Sequence, residues 1–231
     1  TVITVVGEMD PQKALKKISE LFGTIPSKKL DAPKVPGEKP LQGVSENKIL
    51  IPRAKAHIAI GFPAVSIYDP DRYPLEVLNN LLSGQGGRLF LQLRDRESLA
   101  YVVASFVRPG VDPGLFGFYI ACDTLKVDKA MEGLFREIGK VRIDSLAEKE
   151  VKDSINNLVG NHLINLQSSW SRSENSALNT LYGLGYDYDS EYVKKISQVT
   201  PEDVKRVAQK YLDPEKCAIL KILPDGDDNK S

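Results

Sequence analysis

Apolar positions in this chain recur with two periods, about two residues and about 3.6, and each change of period marks an element boundary. The opening TVITVVG is rich in β-branched residues and predicts a strand. Asp10 and Pro11 then supply a cap and a first helical position, and Ala14, Leu15, Ile18, Leu21 and Phe22 repeat at helical spacing as far as Gly23. The stretch KKLDAPKVPGEKPLQGVSE breaks both rhythms, and its prolines and glycines predict an extended linker.

Past the linker the pattern predicts a strand over 55–62, a helix over 72–82 and, after SGQGG, a shorter helix over 88–97. Strands over 99–106 and 115–122 follow, joined by RPGVDPG as an antiparallel pair. Helices are predicted over 124–141, 147–167, 172–182, 190–196 and from Thr200 to Tyr211, before a last strand over 217–223. This order predicts an α+β fold, a two-layer α/β sandwich in which helices cover one face of a mixed, mostly antiparallel sheet. The expected domains are a strand–helix unit over 1–25, a linker over 26–47, a main domain over 48–224 and a loose charged tail over 225–231.

Composition removes several function classes. Of 231 residues, 42 % are apolar and 27 % charged, which suits a soluble globular chain, and the 31 basic residues balance 31 acidic ones. That balance gives no electrostatic reason to expect nucleic acid as a partner. No run approaches the ~20 apolar residues that membrane insertion needs. A strand pattern starting at Thr1 predicts that sequence precedes it, so any targeting signal, and the compartment with it, is not read here. The same strand, cut from its sheet, predicts a homodimer as a hazard of the isolated chain. Cys122 and Cys217 each lie in an apolar strand-like run and read as buried free thiols.

Motif chemistry is equally sparse. His57 and His162 are the two histidines, and no H-x-x-E-H, H-E-x-x-H or C-x-x-C pattern accompanies them, so no complete metal site is expected in this chain. There is no G-x-S-x-G, and SGQGG lacks the lysine and hydroxyl ending of a phosphate loop. Its glycines are expected to permit a tight turn or a close backbone approach.

One segment stands out, GGRLFLQLRDRESLAYVV (86–103). On a helical wheel Arg94 falls between Phe90 and Leu91, inside the apolar arc, whereas Arg96 lies on the polar side. A guanidinium drawn toward an apolar layer needs partners or a route to water. Arg94 and Tyr101 both donate hydrogen bonds and are suited to hold a peptide carbonyl or an oxyanion. The alternative is structural: Arg94 reaches water or pairs with a local glutamate, and Tyr101 is an edge aromatic.

GGRLFLQLRDRESLAYVVASF resembles the signature segment of the C-terminal half of the pitrilysin-type (M16) zinc peptidases. The likeness extends through HIAIGFPA, DRYPLEVLNNLLSGQGGRLF, GLFGFYIACD and VTPEDVKRVAQKYLDPEKCAIL. The opening TVITVVGEMDPQKALKKISELFG resembles the last strand and helix of the preceding half. The resemblance implies a non-zinc-binding part of a zinc endopeptidase, inactive alone, with zinc, its ligands and the activated water in the N-terminal half. It implies that Arg94 and Tyr101 hold peptide or unfolded polypeptide substrate and support the tetrahedral intermediate, with Gly84, Gly86 and Gly87 as the supporting loop. The family alternative is a noncatalytic structural or peptide-binding subunit of a heterodimeric processing complex. The common pattern has glycine where this chain has Ser98; a left-handed backbone there would strain serine.

Overall fold

The computed structural model describes residues 1–26, 28, 40–52 and 54–225. The linker expected over 26–47 lies mostly, and the tail over 225–231 almost wholly, outside the described residues. In chain order the elements are α1 (Pro11–Phe22), β1 (Ser45–Ile51), β2 (Ala56–Pro63), α2 (Arg72–Leu82), a π-helical segment (Phe90–Arg96), β3 (Val102–Arg108) and β4 (Leu115–Cys122). A 3-10 turn (Thr124–Lys126) leads into α3 (Val127–Ile143), then α4 (Glu148–Asn165), α5 (Ser169–Leu181), α6 (Tyr188–Ser197), α7 (Pro201–Tyr211) and β5 (Ala218–Pro224). The chain divides into two units, 1–40 with 162–191 and 41–161 with 192–231.

The second unit is built on one open five-stranded sheet in the order β1-β5-β2-β4-β3. β1 runs parallel to β5, and the other pairs are antiparallel. The α+β sandwich expected from the pattern is therefore present. Alternate residues explain its two faces. Ile58, Ile60 and Phe62 of β2 and Phe116, Phe118 and Ile120 of β4 are fully buried, each contributing about 1.5–3 kcal/mol of apolar burial. Phe62 and Phe118 meet edge to face, centroids 6.0 Å apart. α2 packs on β3, α3 on β4, and α7 against both helices. On the opposite face His57, Ala59 and Tyr119 stay half-exposed. There Gly117 has no side chain because the Phe106 ring lies across it, where a Cβ would come within 2.3 Å of that ring.

Both ends of α2 are fixed by polar contacts. At its start Asp71 accepts hydrogen bonds from Arg206 (2.7 Å), Lys210 (2.8 Å) and Tyr211 (2.8 Å) of α7. Burial opposes ionisation of Asp71, but these three donors outweigh it and bring its pKa down to about 2. Just past its end, Ser83 Oγ donates to the Ser105 carbonyl (2.8 Å) and accepts from the Ser105 N–H (2.6 Å) on the outer edge of β3.

In the first unit residues 1–6 alternate in exposure, as the strand pattern requires, yet no ladder pairs them among the described residues. The expected strand is thus an alternating segment without a ladder among the described residues: alternation sets the faces, and a strand also needs neighbouring backbone groups. Thr4 Oγ1 lies 2.8 Å from both the carbonyl and the hydroxyl of Ser173 on α5. α1 is capped by Asp10, whose carboxylate accepts from the Gln12 and Lys13 N–H groups, as its sequence predicts. The pattern missed β1: ENKILI follows the linker and looks like its continuation, but it pairs with β5 at the far end of the chain.

Candidate functional site

The segment from Gly84 to Tyr101 is the irregular connection between α2 and β3. Gly84 adopts a left-handed backbone (φ 83°), and a Cβ on Gly87 would sit 2.2 Å from the Ser83 carbonyl oxygen. These two glycines let the chain leave α2 and turn at once. Gly86 has open space where its Cβ would be. Arg88 then anchors the turn with two hydrogen bonds of 2.6 Å from Nε and Nη2 to the carboxylate of Glu150 on α4.

The next residues form not an α-helix but a π-helical segment, in which the Glu97 N–H reaches back five residues to the Gln92 carbonyl (3.1 Å). This corrects the wheel position of Arg94. A π-helix turns less per residue than an α-helix, so Arg94 is rotated out of the apolar arc and is exposed. Leu93 points inward instead and is fully buried. It meets α3 at Gly133, where a Cβ would lie 2.7 Å from Leu93 Cδ2. Arg94 lays its guanidinium over the Phe90 ring at 5.0 Å. The local glutamate that could have paired with it, Glu97, accepts instead from Gln92 and from Arg136 of α3. Burial resists ionisation of Glu97, and those two donors bring its carboxyl below the ordinary value.

Ser98 carries the backbone strain foreseen from its departure from the family pattern: its φ is 51°. Three contacts hold the turn. Arg136 grips Glu97, Lys126 Nζ donates to the Ser98 carbonyl (2.9 Å), and the Leu99 N–H donates to the Leu93 carbonyl (2.8 Å). The turn delivers Tyr101 to the start of β3, where its N–H donates to the Ala121 carbonyl (2.8 Å). Tyr101 is 48 % exposed, and Lys55 Nζ sits 3.6 Å from its ring centroid. No hydrogen bond or ring contact joins Arg94 to Tyr101 among the described residues. Each uses its flat surface locally, and the guanidinium N–H groups and the phenol hydroxyl have no hydrogen-bond partner among the described residues.

Lys55 and Tyr119 were not singled out from sequence. Lys55 shares strand parity with His57, a readable signal, but the partner strand's register was not. His57 Nδ1 lies 2.6 Å from Tyr119 Oη, while His162, in the first unit, has Nε2 3.4 Å from Asp189 Oδ1. The residues do not fit a zinc centre: no group of three or more His, Cys, Asp or Glu able to hold a metal occurs among the described residues. Burial pushes both thiols, Cys122 and Cys217, above their ordinary pKa, which disfavours the thiolate. No helix among the described residues is long and apolar enough to cross a membrane.

Comparison with known proteins places this geometry in a family. The family described as "Peptidase M16 inactive domain" matches residues 1–158. The chain is 27 % identical over 223 residues to an uncharacterized zinc protease of Streptomyces coelicolor, covering 91 % of this chain and 47 % of that one. It is 26 % identical over 237 residues to a probable mitochondrial-processing peptidase subunit alpha of Schizosaccharomyces pombe, covering 87 % and 44 %. A protease from Helicobacter pylori superposes with a TM-score of 0.84 at 20 % identity, covering 95 % of this chain and 54 % of that chain. The chain thus spans about half the length of the proteins it matches.

Proposed function

The chain belongs to the peptidase M16 inactive-domain family, and from that membership we propose that it is the substrate-positioning half of a zinc endopeptidase. Arg94 and Tyr101 carry this role. The observation that supports it most directly is that both are exposed, flank one strained turn, and keep their donors uncommitted. A guanidinium and a phenol held this way can donate to the carbonyls of an extended peptide, and more strongly to an oxygen that gains charge during hydrolysis. Their contribution is orientation and charge stabilisation. Zinc and the activated water belong to the missing half, which would polarise the carbonyl and supply the nucleophile.

The missing half also gives residues 1–6 a role. Their alternating exposure and unpaired backbone suit a strand that completes a sheet in that half. Peptides or unfolded polypeptides are the substrates this reading requires.

The test is turnover of a zinc-binding half combined with this chain. Arg94→Ala and Tyr101→Phe are each expected to lower kcat/KM by about 10- to 100-fold. Unchanged turnover in both variants would return them to structural roles. Chelator-sensitive cleavage by the isolated chain would overturn the division of labour itself. The likeness to a processing-peptidase alpha subunit favours a second reading, a noncatalytic peptide-binding subunit. The remaining coding sequence decides between the two: an H-x-x-E-H motif there supports the first, and its loss supports the second.

A further inference from the structure

The corner of the open sheet face beside Tyr101 carries an uncompensated set of hydrogen-bond donors. His57 rises from the uncovered face of β2, and Lys55 lies in the bend immediately before that strand. His57 stands opposite Ala121 of β4, and the same Ala121 carbonyl receives the Tyr101 N–H. One small side chain thus separates His57 from the start of β3. Tyr119, one step along β4 on the same face, closes the group through its 2.6 Å contact with His57 Nδ1.

Counting protons gives the chemistry. Lys55 faces the Tyr101 ring at 3.6 Å and has no carboxylate partner among the described residues. The ring attracts the ammonium without neutralising it. The Tyr101 hydroxyl has no hydrogen-bond partner among the described residues. Between His57 and Tyr119 one donor always remains. If the phenol donates to Nδ1, His57 keeps Nε2–H; if Nδ1–H donates to the phenol oxygen, Tyr119 keeps O–H. Asp123, just past the end of β4, accepts from the Leu125 N–H at 2.9 Å and makes no ion pair with Lys55. One cation and two neutral donors lie at this corner, and none of them forms an ion pair with a carboxylate among the described residues.

We infer that Lys55, His57, Tyr101 and Tyr119 form a carboxylate-binding subsite, which selects an acidic group on the bound peptide. The group is either an Asp or Glu side chain or a free C-terminal carboxylate. The inference rests on the peptide-positioning role of Tyr101 and adds a charge preference to it.

The experiment follows the two imidazoles of the chain by NMR at fixed pH, with His162 as the internal control. The probes are N-acetylglutamate α-amide, N-acetylalanine, and their uncharged amide counterparts. The expected result is a saturable shift of His57 with a carboxylate probe, none with the matching amide, and no movement of His162. Lys55→Met should weaken that binding about fivefold, the size of one exposed charge pair. Tyr119→Phe should weaken it as well while leaving the exposed Lys55 in place. A response to N-acetylglutamate α-amide alone assigns a side-chain carboxylate; a response to N-acetylalanine alone assigns the peptide C-terminus. Equal shifts with amides, no shift with either carboxylate, or undiminished binding by Lys55→Met would overturn the subsite. Such a result leaves the turnover test of Arg94 and Tyr101 untouched.

Discussion

Arg88 and Arg94 sit at two ends of one short connection, and their surroundings are opposite. Arg88 is half-buried and bound through two nitrogens to Glu150, with side-chain exposures of 24 % and 31 % for the pair. Arg94 rests on Phe90 and has neither an ion pair nor a hydrogen bond among the described residues. The first arginine fastens the glycine turn to α4. The second is held only by its flat surface, which keeps its donors available. An arginine beside a glycine loop is therefore no indication of function by itself; the presence or absence of a carboxylate within reach decides.

The comparison can be broken at its common support. Leu93 is buried between the two ends, and Leu93→Ala should cost about 3 kcal/mol, read by chemical denaturation, disturbing both arginines together. Arg88→Ala comes next. It leaves Glu150 partly buried without its partner, so a loss of about 2 kcal/mol is expected, with any effect on turnover following stability. A stability unchanged by Arg88→Ala would mean the ion pair is ornamental. Ser98→Gly should act in the other direction and add about 1 kcal/mol by removing the cost of a left-handed serine. A loss on that substitution would show that the Ser98 side chain matters more than its backbone. Arg94→Ala is the smallest in stability, within about 0.5 kcal/mol of the parent, although it is predicted to affect turnover most.

Acid sharpens the picture at the far end of α2. Asp71 has its pKa brought down to about 2 from 3.8, so its contribution is fully present above about 3.8 and is lost as pH falls through about 2. The melting temperature should fall across that window, and Asp71→Asn should flatten the fall. An identical slope in the variant would assign the acid sensitivity to other carboxylates.

Sequence periodicity was a good guide where an element obeyed a standard period. The span of α2, the start of α7 at Thr200, and the strand spans of β2 and β4 were all legible. It misled where geometry departed from the period. FLQLRDR has ordinary helical composition, and nothing in its residues announces a π-helix, in which Leu93 seats against Gly133. Pairing over long separations was hidden for a related reason. β1 and β5 lie at opposite ends of the second unit, and the register that brings Tyr119 to His57 depends on the whole sheet. Of the candidate site, residue types were legible and surroundings were not. Arg94 was picked out for the wrong burial, and Lys55 was passed over. At Ser98 the departure from glycine raised the question of a left-handed backbone without answering it, and the fold supplies the answer with a φ of 51°.

The contact between Ser83 and Ser105 has a consequence for encounters between molecules. β3 is the last strand on its side of the sheet, a position that ordinarily invites another chain to add a strand. At Ser105 the Ser83 hydroxyl both donates to the carbonyl and accepts from the N–H, as a neighbouring peptide group would. The invitation is answered from within the same chain. On the proposed peptide-holding role of Tyr101, a polypeptide there would find the Ser105 backbone groups already taken and would rely on side-chain groups near the strand's beginning. One hydroxyl thus takes the place of a neighbouring peptide group at the middle of this edge.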